Sequence, residues 1–179
     1  RFLVGYIGRL SKQKGGDIFV KAVAKAVENQ PNIVGLLIGD GDEKTNIEKL
    51  VDDLNARDYI FFLGFQKDVI SLISKLDFVV LPSRWEGIPL TPIEVFSAGK
   101  TIICSDIENN IEIVQDGING LTFRAEDDMD LSEKIIALSS NKKLREQLER
   151  QALKDYINKY SYEMFIKKYS SIYKSVMRI

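Results

Sequence analysis

Short apolar segments alternate with amphipathic segments along the chain. In segment 17–28 one face carries apolar residues at helical spacing, namely Ile18, Phe19, Ala22, Val23, Ala26 and Val27. Because this spacing is typical of a helix and short continuous apolar runs are typical of buried strands, the pattern predicts strands and helices in alternation. The predicted strands are 2–8, 33–38, 59–63, 77–81, 101–104 and 120–123; the predicted helices are 17–28, 43–55, 68–74, 90–98, 109–114, 128–139, 142–158 and 162–177.

The order of these elements predicts an α/β fold. Strands that are apolar throughout and alternate with helices indicate a parallel sheet that is covered on both faces. We therefore expect residues 1–179 to form a single domain, a Rossmann-like doubly wound parallel sheet of about six strands with helices at the C-terminus. Such sheets bind ligands beyond the carboxyl ends of their strands. The candidate site therefore comprises loops 8–16, 39–42, 64–67, 82–90 and 105–109.

Composition narrows the chemistry. The 179 residues include 25 basic and 26 acidic side chains, so there is no bulk attraction to nucleic acid or anionic lipid. The chain has no histidine, which excludes Ser–His and Cys–His nucleophile pairs and makes Cys104 a poor nucleophile. No apolar run approaches the ~20 residues that span a bilayer. A single cysteine fits a reducing compartment, so the expected location is cytoplasmic.

The first loop carries candidate anion ligands. Arg9 and Lys14 follow the first strand and offer two cations for a diphosphate. Gly15 and Gly16 allow a tight turn into the next helix, and Asp17 is predicted to cap that helix. A solvated basic loop is an equally good interpretation of these residues alone.

Two carboxylates separated by seven residues follow the fourth strand. Glu86 precedes the next helix, whereas Glu94 lies in its first turns. Gly87 permits close approach of a ligand to the backbone, and the helix start offers the amides of Ile88, Leu90 and Thr91 to an anion. The alternative for Glu94 is a capping box formed with Thr91.

These motifs, taken in order, resemble a known family. Gly8-Arg9-Leu10 with Lys14-Gly15, Gly39-Asp40-Gly41, Gly64-Phe65, Pro82-Ser83, and Glu86 with Glu94 have the order and spacing found in retaining glycosyltransferase family four. The whole chain is similar to the C-terminal, donor-binding domain of that family's GT-B fold.

The resemblance implies roles for individual residues. Arg9 and Lys14 would hold the donor's diphosphate, Glu86 would contact the sugar hydroxyls, and Glu94 would bind the ribose diol. Arg9, Lys14 and Glu86 are therefore the candidate catalytic residues. The full set implied to bind substrate is Gly8, Arg9, Lys14, Gly39, Asp40, Gly64, Phe65, Gln66, Ser83, Glu86, Gly87, Ile88, Leu90, Thr91 and Glu94. Pro89 departs from a glycine that is frequent in the family, which removes one expected amide contact.

The resemblance also implies an activity. The full protein would move a sugar from a UDP- or GDP-sugar to a glycan or lipid-linked acceptor in cell-surface polysaccharide or glycoconjugate synthesis, without a metal or another cofactor. The acceptor would bind an N-terminal domain that this chain lacks, and any contact with the cytoplasmic membrane face would be made through that absent half. The chain opens directly on a strand, which suggests that it is part of a longer protein, and we expect it to be inactive alone. The alternatives are a non-catalytic nucleotide-sugar-binding module and a nucleotide-sugar epimerase.

Three further motifs have structural interpretations. Asp40-Gly41-Asp42 matches a metal-binding pattern, but turn formation explains it better. Asp127 is predicted to cap the helix that follows it. The last helix carries an apolar stripe formed by Tyr162, Phe165, Tyr169, Ile172, Tyr173 and Val176. Such a stripe could lie on a membrane, but core packing is its commoner use, and the resemblance implies that part of it is exposed where the partner domain is missing.

Overall fold

The computed structural model describes residues 1–177, so residues 178–179 of the predicted domain lie outside it. Its strands are β1 (Phe2–Ile7), β2 (Ile33–Ile38), β3 (Ile60–Gly64), β4 (Phe78–Leu81), β5 (Ile102–Ser105) and β6 (Leu121–Phe123). They form a single parallel sheet in the order β3-β2-β1-β4-β5-β6. This confirms the predicted Rossmann-like doubly wound sheet.

The helices follow the predicted order with shifted ends. They are α1 (Gly16–Asn29), α2 (Lys44–Asp53), α3 (Val69–Ile73), α4 (Thr91–Ser97), α5 (Glu108–Ile111), α6 (Asp128–Ser140), α7 (Lys142–Asp155) and α8 (Tyr162–Met177). Helix α5 was predicted to reach residue 114 but ends at Ile111, and the amide of Gln115 donates to Asn119 Oδ1 at 2.8 Å instead of to the carbonyl of Ile111. The helix predicted at 142–158 changes at Tyr156–Tyr160 into a π-helical turn, in which the Ser161 amide donates to the Tyr156 carbonyl at 2.9 Å.

Each face of the sheet packs against its own helices. Val4, Tyr6 and Leu37 point to the face covered by α1, α2 and α6, where Phe19 and Leu131 are fully buried. The alternate strand residues face a second cluster that includes Ile73 of α3, Val95 and Phe96 of α4, and Ala152 of α7. Because side chains alternate along a strand, six short strands supply both cores.

The strand order places a ligand site. Strands β1, β2 and β3 succeed one another toward one edge of the sheet, whereas β4, β5 and β6 succeed one another toward the other edge. The order therefore reverses between β1 and β4, which is the topological switch point where open parallel sheets bind ligands. The loops that leave these two strands are 8–16 and 82–90, the two loops with the candidate cations and carboxylates.

Two glycines allow the loops at this edge to approach each other. Gly39 has φ +142°, and a Cβ there would lie 1.9 Å from the carbonyl oxygen of Gly8. Gly15 has φ +68°, and its Cβ would lie 2.1 Å from the carbonyl oxygen of Pro82. Any larger residue would therefore separate loop 8–16 from its neighbours at both positions.

Helix α8 carries its apolar stripe on an exposed surface. Tyr162 is 72% exposed and Val176 is 75% exposed, and no residue of the helix is buried. The expectation of core packing is wrong for this stripe, because α8 packs mainly on the neighbouring π-helical turn. None of the helices within residues 1–177 has the length and apolarity needed to cross a membrane.

The C-terminal helices are tied to the sheet through Asp155. Its carboxylate, 5% exposed, accepts hydrogen bonds from Asn119 Nδ2 at 2.8 Å and pairs with Lys159 Nζ at 2.9 Å. Burial alone would raise the pKa of this carboxyl, but Lys159 and Asn119 outweigh burial and lower it. The charged form of Asp155 therefore stabilises the fold.

We expect Asp155→Ala to lower the free energy of unfolding by about 2 kcal/mol at pH 7, because it leaves Asn119 without its buried acceptor. A carboxyl group whose pKa is lowered by folding stabilises the fold at pH values above its ordinary pKa. The difference in free energy of unfolding between the variant and wild type should therefore shrink below about pH 4. Urea unfolding at several pH values measures this. Asp52→Ala, which removes a surface pair with Arg57, is the control and should have little effect.

Candidate functional site

A partly buried ion pair joins the two candidate loops. Lys14 Nζ lies 2.6 Å from Glu86 Oε1, and the Glu86 side chain is only 5% exposed. Ser83 Oγ donates to the same oxygen at 2.6 Å. Glu86 Oε2 accepts no hydrogen bond from residues 1–177, which leaves it available to a hydroxyl donor. Ser83 is itself buried, so its hydroxyl holds Glu86 rather than facing solvent.

The loop around Glu86 is fixed by residues of β5 and α5. Asn109 Nδ2 donates to the carbonyl of Glu86, and Ser105 Oγ donates to the carbonyl of Ser83 at 2.6 Å. Asn110 Nδ2 in turn donates to Ser105 Oγ at 3.0 Å. The carboxylate therefore stands on a loop whose backbone is held by the neighbouring strand end. This preorganisation favours a binding or catalytic role.

Arg9 has a different environment from Lys14. It is exposed, and its guanidinium has no hydrogen-bond or ion-pair partner among the residues that the structure describes. Its carbonyl is held by the hydroxyl of Tyr6 at 2.7 Å. Burial raises the pKa of Tyr6, and the nearby carboxylates of Asp17 and Glu86 raise it further, so this hydroxyl stays protonated. The backbone at Arg9 is thus anchored while its charge remains open to a ligand.

A cleft of about 430 Å³ opens beside Arg9. It is lined by Ile7, Gly8, Arg9, Ile38, Gly39, Asp40, Phe65, Gln66 and Val69. Phe65 is 74% exposed at its mouth, and Gln66 Nε2 is held by the carbonyl of Leu63 at 2.7 Å. An exposed aromatic ring beside oriented polar groups suits a planar heterocycle. The turns at Gly39–Asp40 and Phe65–Gln66 therefore line one cleft, and Gly64, the last residue of β3, has φ +65°.

The turn between Glu86 and α4 presents backbone to solvent. A Cβ on Gly87 would meet no atom within 4 Å, and Ile88 is 83% exposed. Within the described part of the chain the amides of Ile88, Leu90 and Thr91 donate to no acceptor. They remain available to an anion or a sugar oxygen, as predicted from the sequence.

Both predicted helix caps at this edge are wrong. The N-cap of α1 is Gly15, since the helix begins at Gly16, and the carboxylate of Asp17 instead binds Arg84. The N-cap of α4 is Leu90, which lacks a capping side chain, so Thr91 and Glu94 form no capping box. In both helices the first amides are left without a side-chain cap.

Glu94 lies apart from the cleft beside Arg9. It lines a second groove of about 500 Å³ with Ile93, Ser97, Tyr156, Tyr160, Tyr162 and Phe165. Its amide donates to the Leu90 carbonyl at 3.0 Å, and its carboxylate has no hydrogen-bond partner among residues 1–177. The structure therefore brings Lys14 and Glu86 together but leaves Glu94 outside the group.

The two acidic motifs that were given structural interpretations form a turn and a helix cap. Asp40 Oδ1 accepts from the Gly41 amide at 2.8 Å within a turn. Asp127 caps α6 by accepting from the amides of Met129 and Asp130, as predicted. No group of three potential metal-ligating side chains occurs in the described ranges. Cys104 is fully buried, which raises its thiol pKa and keeps it unreactive.

Sequence reasoning missed Arg84 and the pair Asn109 and Asn110. Arg84 stands directly before Trp85 and Glu86, so a charged residue beside a candidate carboxylate was the available signal. Asn109 is the last residue of predicted loop 105–109 and Asn110 follows it directly, but an amide side chain there is compatible with many turns. Their contacts run between distant segments, which a single sequence does not reveal.

A parallel sheet with a basic loop and an acidic turn at its switch point defines a Rossmann-like class of α/β domain. Residues 1–155 match the family model of the glycosyl transferases group 1. The chain belongs to this family.

Relatives and solved structures agree with this assignment. The chain is 31% identical over 176 residues to the N,N'-diacetylbacillosaminyl-diphospho-undecaprenol alpha-1,3-N-acetylgalactosaminyltransferase of Campylobacter jejuni, covering 98% of this chain and 45% of the relative. It superimposes on the C-terminal domain of the group 1 glycosyl transferase LpcC of Francisella tularensis with a TM-score of 0.83 and 25% identity, over 90% of this chain and 87% of that one. Anabaena HepE in complex with UDP shares the fold with a TM-score of 0.92 at 22% identity, over 98% and 49% of the two chains. The chain spans about half the length of the curated relatives it matches.

Proposed function

We propose that this chain is the donor-binding half of a retaining glycosyltransferase. In this proposal the full protein moves a sugar from a nucleoside-diphosphate sugar to a glycan or lipid-linked acceptor held by another part of the protein. The observation that carries it is the Lys14–Glu86 pair at 2.6 Å, a cation and a carboxylate side by side at the sheet's switch point. A glycosyl diphosphate offers an anion to the first and hydroxyls to the second.

The donor can be oriented along the edge of the sheet. The base would occupy the cleft between Gly39 and Phe65, and the diphosphate would lie between Arg9 and Lys14. The sugar would then reach Glu86 and the free amides of the following turn. Ribose would extend to Glu94 in this arrangement, which requires that side chain to leave its present groove or the donor to reach across α4.

The proposed chemistry centres on the leaving group. Breaking the bond between the sugar and the diphosphate places negative charge on the distal phosphate. Arg9, Lys14 and the amides at the start of α4 would stabilise that charge in place of a metal ion. Glu86 would orient the sugar by accepting hydrogen bonds from its hydroxyls, and the acceptor hydroxyl would arrive from the absent half. The isolated chain should bind the donor with little turnover.

The relatives suggest the first substrates to test. The Campylobacter jejuni relative is named as acting on an undecaprenol-linked diphospho-sugar, and the Anabaena neighbour contains UDP. A UDP-sugar donor and a polyprenol-linked acceptor are therefore the first candidates, with GDP-sugars as the alternative donor. In such a pathway the product would contribute to a cell-surface polysaccharide or glycoconjugate.

The direct test is calorimetric titration of the chain with UDP, GDP and their sugar conjugates. We expect binding of one diphosphate series with equal affinity in the presence of a chelator and in the presence of manganese, because Arg9 and Lys14 supply the positive charge. The matching nucleoside serves as the control and should bind more weakly. Binding that disappears with chelator and returns with manganese would overturn the metal-free proposal, and no binding of either series would overturn the function.

A further inference from the structure

Arg84 connects the two loops of the candidate site. Its guanidinium donates to both carboxylate oxygens of Asp17, at 3.0 and 2.8 Å, and to the carbonyl of Lys12 at 2.7 Å. A further contact reaches Glu126 at 3.2 Å. The side chain is only 15% exposed. One residue of loop 82–90 thus holds both the start of α1 and the 3-10 turn at Lys12–Lys14, which precedes that helix.

The backbone contacts repeat this connection. The amide of Arg84 donates to the carbonyl of Gln13 at 2.8 Å, and Gln13 Nε2 donates to the carbonyl of Trp85 at 3.0 Å. Lys14 follows Gln13 directly, and Glu86 follows Trp85 directly. The two members of the ion pair therefore each stand one residue beyond a point where the loops are fastened together.

The positive charge of Arg84 is paired with carboxylates of the protein. Burial alone would raise the pKa of Asp17, but the hydrogen bonds and charge of Arg84 outweigh burial and lower it. Asp17 is therefore a carboxylate that neutralises the guanidinium, and Glu126 adds a second negative charge. Arg84 contributes little attraction for a phosphate, and its donors point at protein acceptors rather than at the cleft.

We propose that Arg84 is a positioning residue for the diphosphate site. It fixes loop 8–16 against loop 82–90 so that Lys14 and Glu86 meet with the spacing that the donor requires. It acts through these two residues and does not touch the donor. This inference rests on the proposed function, since it concerns the same site.

Two substitutions separate geometry from charge. Arg84→Lys keeps the positive charge but loses the planar fork that binds both oxygens of Asp17. Arg84→Gln loses both. The matched controls are Arg57→Lys and Arg57→Gln, because Arg57 also binds both carboxylate oxygens of an aspartate, Asp52. Arg57 lies just before β3, at the amino ends of the strands and away from the candidate site.

Calorimetry of each variant with UDP and GDP, and with uridine and guanosine, gives the first result. We expect Arg84→Gln to weaken binding of the diphosphate by roughly tenfold and Arg84→Lys by roughly threefold or more, as a displaced Lys14 loses a charge-assisted hydrogen bond. Binding of the nucleoside should be unchanged, and the Arg57 variants should match wild type. An Arg84→Lys protein that binds the diphosphate like wild type would overturn the proposal.

A double-mutant cycle with Lys14→Ala, made in a Glu86→Gln background so that no buried carboxylate is left unpaired, gives the second result. If Arg84 acts through Lys14, Arg84→Gln should change diphosphate affinity by less than roughly twofold once Lys14 is absent. Additive losses would instead indicate general damage or direct attraction by charge, and would overturn a positioning role.

Hydrogen exchange without ligand gives a readout that does not depend on the donor. The amides of loops 8–16 and 82–90 should exchange faster in Arg84→Gln than in Arg57→Gln, because the contacts that fasten the loops are lost. Unchanged exchange would contradict the inference even if diphosphate binding fell. Wild-type protein that binds neither diphosphate would refute the proposed function and this inference together, whereas wild-type binding that persists in Arg84→Gln refutes this inference alone.

Discussion

Arg9→Ala is expected to weaken binding of a nucleoside diphosphate by roughly ten- to a hundredfold, since a charge-assisted hydrogen bond contributes about 1.5–3 kcal/mol. Arg9 is exposed at the mouth of the cleft and its guanidinium has no protein partner within residues 1–177. Removing the side chain therefore breaks no guanidinium contact within the fold, so the substitution should lower ligand affinity and leave the stability of the fold unchanged. The matching nucleoside lacks the phosphates and should bind as it does to wild type.

Calorimetry with the diphosphate and the nucleoside measures this difference, and rising salt should reduce it because the site is open to solvent. Arg57→Ala, at the amino ends of the strands, is the control and should leave both affinities unchanged. Equal losses for nucleoside and diphosphate would indicate general damage, and no loss for either would favour a solvated basic loop.

Testing Lys14 requires a double substitution, because the structure pairs its ammonium with a carboxylate. Its ammonium neutralises Glu86, a carboxylate with a 5% exposed side chain, so Lys14→Ala would leave that charge buried with only Ser83 as a donor. Such a variant should lose stability as well as affinity. Lys14→Ala combined with Glu86→Gln removes the unpaired charge and isolates the contribution of Lys14 to diphosphate binding.

Glu86→Gln is expected to weaken binding of the intact sugar donor by roughly tenfold while leaving affinity for the bare diphosphate equal or higher. The carboxylate is the proposed acceptor for sugar hydroxyls, and a neutral amide accepts them less strongly. Replacing it also releases Lys14 from its present partner and removes a negative charge beside the diphosphate, both of which favour the anion.

The measurement is a paired titration with a nucleoside-diphosphate sugar and the corresponding nucleoside diphosphate. The matched control is Glu28→Gln. Glu28 is exposed near the end of α1, on the side of the sheet where the strands begin. A fall in affinity for the bare diphosphate as large as that for the donor would show that Glu86 does not face the sugar.

The fold was predictable because its signal is local and repeated. Each strand is a short apolar run and each long helix carries its own apolar face, so the alternation that defines a doubly wound sheet is visible without knowledge of contacts. The ends of the elements were less predictable. Because Gly15 at φ +68° is the N-cap, α1 begins at Gly16, one residue earlier than expected. The amide of Gln115 donates to Asn119, which lies beyond α5, where that helix was expected to continue.

The sequence predicts the candidate site as a set of residues but not as an arrangement. The family's motifs identified Arg9, Lys14 and Glu86 from their order along the chain. Nothing in that order indicates that Lys14 and Glu86, 72 residues apart, form an ion pair. Asp17 was misinterpreted for a related reason, because a helix cap is a local explanation whereas its actual partner, Arg84, is 67 residues away.

Nuclear magnetic resonance mapping of a bound nucleoside-diphosphate sugar tests the central claim most directly. The chain, labelled with nitrogen-15, would be titrated with the donor that calorimetry selects, and the shift of each backbone amide would be recorded. The account predicts the largest shifts in loops 8–16, 39–42, 64–67 and 82–90, including the free amides of Ile88 and Leu90, with little change at the amino ends of the strands. Large shifts confined to the amino ends of the strands, or to the groove beside α8, would contradict a donor site at the switch point.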